Sequence, residues 1–116
     1  MNAEEAGQLT PGGWYELDVL HAHRLLETFD AVIDVREPDE YTGPLGHIEG
    51  TRLVPLATVM EQLASAERHQ RYLVLCKSGG RSGRAAAWMK QVGFDHVFNM
   101  SGGMMAWHEH RLPLSR

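Results

Sequence analysis

An apolar run, Tyr72-Leu73-Val74-Leu75, leads into the only cysteine of the chain, Cys76. Lys77-Ser78-Gly79-Gly80-Arg81-Ser82 follows, and then Gly83-Arg84-Ala85-Ala86-Ala87-Trp88-Met89. The uninterrupted apolar run reads as a strand buried on both faces, and the alanine-rich segment as a helix. A strand that feeds a helix through a short glycine-containing loop is a unit of a parallel sheet, whose neighbouring strands need crossover connections. Cys76 therefore falls at the carboxyl end of a strand and ahead of a helix N-terminus.

The rest of the chain repeats that alternation. Trp14-Tyr15-Glu16-Leu17 reads as a short edge strand, and Asp18 as the N-cap of a helix to about Glu27, with Val19, Ala22, Leu26 and Phe29 at helical spacing. Ala31-Val32-Ile33-Asp34-Val35 is a second buried strand, and Arg36 to Tyr41 a short helix with proline in its first turn. Gly43 to Gly50 is loop, Arg52-Leu53-Val54 a third strand, and Leu56, Val59, Met60 and Leu63 mark another helix. The helix from Ser82 ends at Gly93, His96-Val97-Phe98 is a fifth strand, and Ser101 caps a last helix from Gly102-Gly103 to about His108. The pattern predicts an α/β fold of three layers, α/β/α, with a mainly parallel sheet of roughly five strands. Residues 1–13, ending in Pro11-Gly12-Gly13, read as a flexible lead-in, and 14–116 as a single domain. Ligands of such sheets bind beyond the carboxyl ends of the strands. Cys76 and Asp34-Val35-Arg36-Glu37 should therefore open on one edge.

The totals narrow the partners. A net charge of −4 and a pI near 5.9 exclude the basic stripe that nucleic acid or an anionic membrane requires. One cysteine forms neither an internal disulfide nor a Cys-x-x-Cys pair, which fits a reducing compartment. The N-terminus lacks a signal pattern, and no apolar run approaches the roughly 20 residues of a bilayer span. A cytoplasmic location is the expectation.

A free thiol has a pKa of about 8.5, so little of it is nucleophilic thiolate at neutral pH. The helix after the loop directs unpaired N–H groups back at Cys76. Lys77, Arg81 and Arg84 are expected to add positive potential. Ser78, Gly79 and Gly80 leave the loop amides free to curl into an anion-binding nest. A lone cysteine is ordinarily a small buried hydrophobe; its place before a basic, glycine-containing turn argues for chemistry instead.

Four segments also resemble a known family. Cys76-x-x-x-x-Arg81-Ser82 resembles the active loop of rhodanese-type sulfurtransferases, and Asp34-Val35-Arg36-Glu37 that family's Asp-x-Arg motif. Gly46-His47-Ile48-Glu49-Gly50-Thr51 is similar to its Gly-His-Ile-Pro-Gly-Ala segment, with Glu49 in place of proline. Gly93-Phe94, Ser101-Gly102-Gly103 and Ala106-Trp107 are similar to its closing Gly-Gly-x-x-x-Trp signature. The resemblance spans about Leu17 to Trp107. It implies a rhodanese-like fold, Cys76 as nucleophile, and Lys77, Ser78, Gly79, Gly80, Arg81 and Ser82 as the substrate-binding loop. It further implies a ping-pong cycle in which a small anionic sulfur donor such as thiosulfate loads a persulfide on Cys76. A thiol, cyanide or protein acceptor then takes the sulfur, with no metal or organic cofactor. Asp34 and Arg36 are possible supporting residues, or a structural ion pair locking the strand exit.

Two other readings stand beside this one. Cysteine phosphatases use a longer loop, Cys-x-x-x-x-x-Arg, often with histidine before the cysteine. Here Arg81 comes one residue too soon and Leu75 precedes the cysteine; arsenate-reducing enzymes use comparable loops. A rhodanese-like sulfur carrier or regulatory binding module would keep the same persulfide with little turnover. Monomer and dimer both remain open. His21 with His23, and His108 with His110, stand two apart and point to different helix faces, which argues against a metal set. His47 reads as a loop anchor, and Trp88, Met89 and Trp107 as core. The Lys77-Ser78-Gly79-Gly80 run is no nucleotide-binding loop, because Cys76 stands where the preceding glycine must be.

Overall fold

The computed structural model describes all residues, Met1–Arg116. In chain order the elements are α1 (Ala3–Ala6), β1 (Gln8–Leu9), β2 (Tyr15–Leu17), α2 (Val19–Arg24), β3 (Ala31–Asp34), α3 (Pro38–Tyr41), β4 (Arg52–Leu53), α4 (Val59–Gln62), β5 (Arg71–Leu75), α5 (Gly80–Gln91), β6 (His96–Met100) and α6 (Gly103–Glu109). Short 3-10 turns at Leu26–Thr28 and Leu56–Thr58 follow α2 and precede α4. Six strands form one sheet in the order β1-β2-β6-β5-β3-β4. Only β1 with β2 is antiparallel; the remaining pairs are parallel.

The period of two in a strand sorts β5 between two cores. Tyr72, Val74 and Cys76 enter the cluster with Val59, Ala85, Ala86 and Met89, so α4 and α5 cover that face. Leu73 and Leu75 enter the opposite cluster with Ala3, Val19, Ala22, Met104 and Trp107, from α1, α2 and α6. Each fully buried aliphatic side chain contributes roughly 2 kcal/mol relative to exposure. With both faces of β5 buried, folding free energy is concentrated on the strand that ends at Cys76. From β3 the chain crosses outward to β4, whereas from β5 it crosses the other way to β6. The crevice at this switch lies between the carboxyl ends of β3 and β5, where Asp34 and Leu75 are register partners.

Several expectations are corrected. The lead-in over residues 1–13 contains α1 and β1, which raises the sheet from five strands to six. A capping box between Asn2 and Glu5 starts α1, and Glu4 binds Arg71 at 2.7 Å. Because β1 pairs outside it, β2 is an interior strand and not an edge. Asp18 does cap α2, its carboxylate accepting the His21 amide at 2.9 Å, but α2 ends at Arg24. α5 begins at Gly80, two residues before Ser82, and β6 runs two residues beyond Phe98 to Met100. The N-cap of α6 is Gly102 at φ +80°, not Ser101, whose hydroxyl instead donates to Glu16 at 2.7 Å. Gly93 follows the end of α5 at φ +97°, as its left-handed cap role requires.

Candidate active site

Cys76 is 1% exposed, and its Sγ lies inside the turn that starts α5. Three donors converge on the sulfur: the Gly79 amide at 3.1 Å, the Ser82 amide at 3.4 Å and the Ser82 hydroxyl at 3.3 Å. The turn needs glycine at 79, where φ is +107°, a conformation that a Cβ disfavours. Burial pushes the thiol pKa up, while the Ser82 hydroxyl and the Ser82, Gly79 and Ser78 amides pull it down. The donors win, and the pKa lies below its ordinary value. Hydrogen bonds donated to the sulfur favour its thiolate form over the thiol.

The three basic side chains do not gather over the sulfur as expected. Arg81 turns to α3 and makes a two-pronged pair with Glu40, Nη1 to Oε1 at 2.7 Å and Nη2 to Oε2 at 2.8 Å. That pairing lowers the Glu40 pKa to about 2 and raises the already high Arg81 pKa. Lys77 is exposed on the rim of a hollow of about 330 Å³ that Arg36, Glu40, Pro44, Leu45 and Met105 complete. Arg84 lines a wider cleft of about 510 Å³ with Ser78, Gly79, Gly80, Trp14, Glu16 and Asn99. Positive charge near the thiol is thus divided between two rims, and hydrogen bonds carry the stabilisation.

Asp34 and Arg36 form a buried pair, 0% and 1% exposed, with Arg36 Nη2 to Asp34 Oδ2 at 2.8 Å and Nε to Oδ1 at 3.0 Å. Arg36 also donates to the carbonyls of Gly46 at 2.8 Å and Glu40 at 3.2 Å. The pair therefore ties the strand exit to the segment carrying Glu40, and through Glu40 to Arg81. His47 stacks on Tyr41 at 3.9 Å between centroids, and its Nδ1 is 2.9 Å from the Tyr41 carbonyl. It is a loop anchor, as expected. Met89 and Trp107 are buried in the two cores, whereas Trp88 is only partly buried. No three His, Cys, Asp or Glu side chains stand close enough to hold a metal ion.

Three contributors were not among the expected site residues. Glu40 engages Arg81 across 41 positions, a separation without any local signal. Asn99 is 2% exposed and donates to the Gly79 carbonyl at 3.1 Å and to the Glu16 carboxylate at 3.0 Å. Its sequence signal is one polar residue inside the apolar stretch His96-Val97-Phe98-Asn99-Met100, on the same face as Val97. Gly103 brings α6 against the loop: the Met104 amide donates to the Cys76 carbonyl at 2.9 Å, and the Met105 amide to that of Lys77 at 3.0 Å. A Cβ at Gly103 would lie 2.6 Å from the Cys76 oxygen.

Sheet and cradle together define a small α/β domain built around one cysteine held at a strand-to-helix turn. The chain belongs to the rhodanese-like domain family, which matches residues 18–110. It is 36% identical over 86 residues to the thiosulfate sulfurtransferase GlpE of Pseudomonas paraeruginosa, covering 74% of this chain and 76% of that protein. A sulfurtransferase of Allochromatium vinosum is 31% identical over 94 residues, covering 80% and 86%. Among solved structures, a rhodanese-related protein from Thermoplasma volcanium superposes with a TM-score of 0.78 at 27% identity, covering 86% of this chain and 96% of that one. No helix of this protein is long and apolar enough to cross a membrane.

Proposed function

We propose that this protein is a sulfurtransferase that carries sulfane sulfur as a persulfide on Cys76. Thiosulfate or a similar small anionic donor would load it, and a thiol, cyanide or a protein would unload it. The observation that carries this reading is the set of three donors on a buried Sγ. Such a cradle lowers the energy of the thiolate both as attacking nucleophile and as leaving group. In the first half of the cycle the thiolate attacks the outer sulfur of thiosulfate. The Cys76–S bond forms, the S–S bond of the donor breaks, and sulfite departs with the electron pair. In the second half the acceptor attacks the terminal sulfur, and the electron pair of the broken S–S bond returns to Sγ. The exposed Lys77 ammonium on the rim suits an anionic donor. The sulfurtransferase relatives support the same chemistry.

The loop disfavours phosphate-ester chemistry on geometric grounds. Arg81, the arginine within it, is engaged by Glu40, and it comes one residue sooner after the cysteine than in the phosphatase loop. Intact-mass measurement after thiosulfate treatment tests the proposal. The expected result is one added sulfur atom that cyanide or a thiol removes, absent from Cys76→Ser. A chain that gains no sulfur, or a Cys76→Ser variant that still turns over thiosulfate and cyanide, overturns it.

A further inference from the structure

The Ser82 hydroxyl has one hydrogen and two acceptors at equal range: Cys76 Sγ at 3.3 Å and the Gly79 carbonyl oxygen at 3.3 Å. It serves only one of them well at a time. The Gly79 oxygen already accepts from the Gly83 amide at 3.0 Å, as the first turn of α5 requires, and from Asn99 Nδ2 at 3.1 Å. Those two donors use both lone pairs of the carbonyl. We propose that Asn99 is a positioning residue: by occupying the Gly79 carbonyl it leaves the single Ser82 hydroxyl hydrogen for the Cys76 sulfur.

The orientation of the Asn99 amide supports this assignment. Its Nδ2 faces Gly79 O and both Glu16 oxygens, Oε1 at 3.1 Å and Oε2 at 3.0 Å, so a flipped amide would set oxygen against three acceptors. Asn99 Oδ1 has no partner and is buried. Leaving that oxygen unpaired carries a desolvation cost, set against the three contacts that Nδ2 makes in this orientation. Glu16 is itself fixed, accepting from Trp14 Nε1 at 2.8 Å and Ser101 Oγ at 2.7 Å. A carboxylate on β2 thus holds an amide on β6, which holds a carbonyl in the loop. The other charged groups around the thiol are Arg81 with Glu40, the Asp34–Arg36 pair, the exposed Lys77, and Arg84, which lines the same cleft as Asn99; none of them hydrogen-bonds Asn99.

The inference rests on the reading of Cys76 as the reacting thiolate, and a double-mutant cycle tests it separately. The pH dependence of Cys76 alkylation is measured in the native chain, Asn99→Ala, Ser82→Ala and the double variant, with circular dichroism to verify folding. Asn99→Leu, closer in volume, serves where Asn99→Ala does not fold. Removing the Asn99 donor should raise the alkylation midpoint by about one pH unit when Ser82 is present. In the Ser82→Ala background it should raise it no further. An unmoved midpoint, or the same rise in both backgrounds, overturns the role of Asn99 even if thiosulfate still loads sulfur onto Cys76. Failure of the native chain to load sulfur instead overturns the function proposed above.

Discussion

Glu40 shows how one side chain can reorganise the electrostatics of a site. Its carboxylate neutralises Arg81, caps the Glu37 amide at 3.0 Å and leaves Lys77 and Arg84 as the exposed cations beside the loop. Because its pKa falls from an ordinary 4.5 to about 2 on folding, its charge contributes stability that is fully present above pH 4.5. That contribution is lost as the pH falls through about 2. Glu40→Gln should therefore flatten the acid limb of stability between those pH values and leave stability at pH 7 lower, as read by urea unfolding at stepped pH. An acid limb unchanged in the variant would remove Glu40 from the account. The gain is partly screened, since Glu40 and Arg81 are 28% and 29% exposed.

At the scale of elements, the N-terminus of α6 buttresses the loop through two backbone amides, and Gly103 permits the approach. Gly103→Ala combines a left-handed φ of +57° with contacts of 2.5 Å and 2.6 Å to the oxygens of Lys77 and Cys76. Gly50→Ala, at φ +87° with nothing within 4 Å, carries the backbone strain without the clash. We expect Gly50→Ala to cost about 1 kcal/mol in denaturant unfolding, and Gly103→Ala to cost more and also raise the alkylation midpoint of Cys76. Equal costs would make Gly103 an ordinary turn residue. This element also marks a boundary of what the sequence reveals. β3, β5 and the start of β6 were legible because buried parallel strands are apolar on both faces, and Asp18 and Gly93 announced the ends of their helices. β1 was not, since two exposed residues, Gln8 and Leu9, carry no pattern and acquire strand geometry only by pairing with β2. The place of Cys76 between a strand end and a helix start was legible from the apolar run before it and the alanine-rich segment after it. The donors were not separable from the basic residues beside them, because the partner that diverts Arg81 comes from a distant helix.

For the molecule as a whole, the reversal of strand order between β3 and β5 gathers the site from segments far apart in sequence. Arg36 is the tie: buried on Asp34, it reaches the carbonyls of Glu40 and Gly46, and the loop there is pinned to the C-terminal segment by the His47–Ser115 bridge. Arg36→Leu leaves the Asp34 carboxylate buried without its partner and should cost about 3–5 kcal/mol in urea unfolding. A loss below 1 kcal/mol would mean that the exit is held by other contacts. The depth of Sγ has a consequence for which sulfur reacts. A persulfide offers two electrophilic sulfurs. Attack on the outer one transfers it, whereas attack on the inner one expels hydrosulfide and leaves the acceptor joined to the protein. On the proposed persulfide route, the Gly79 and Ser82 donors around Sγ would shield the inner sulfur from the acceptor and stabilise it as the departing thiolate. On that reading the cradle would also decide which of the two sulfurs reacts. It would keep a chain with no second cysteine from being trapped as a mixed disulfide that it has no thiol of its own to resolve.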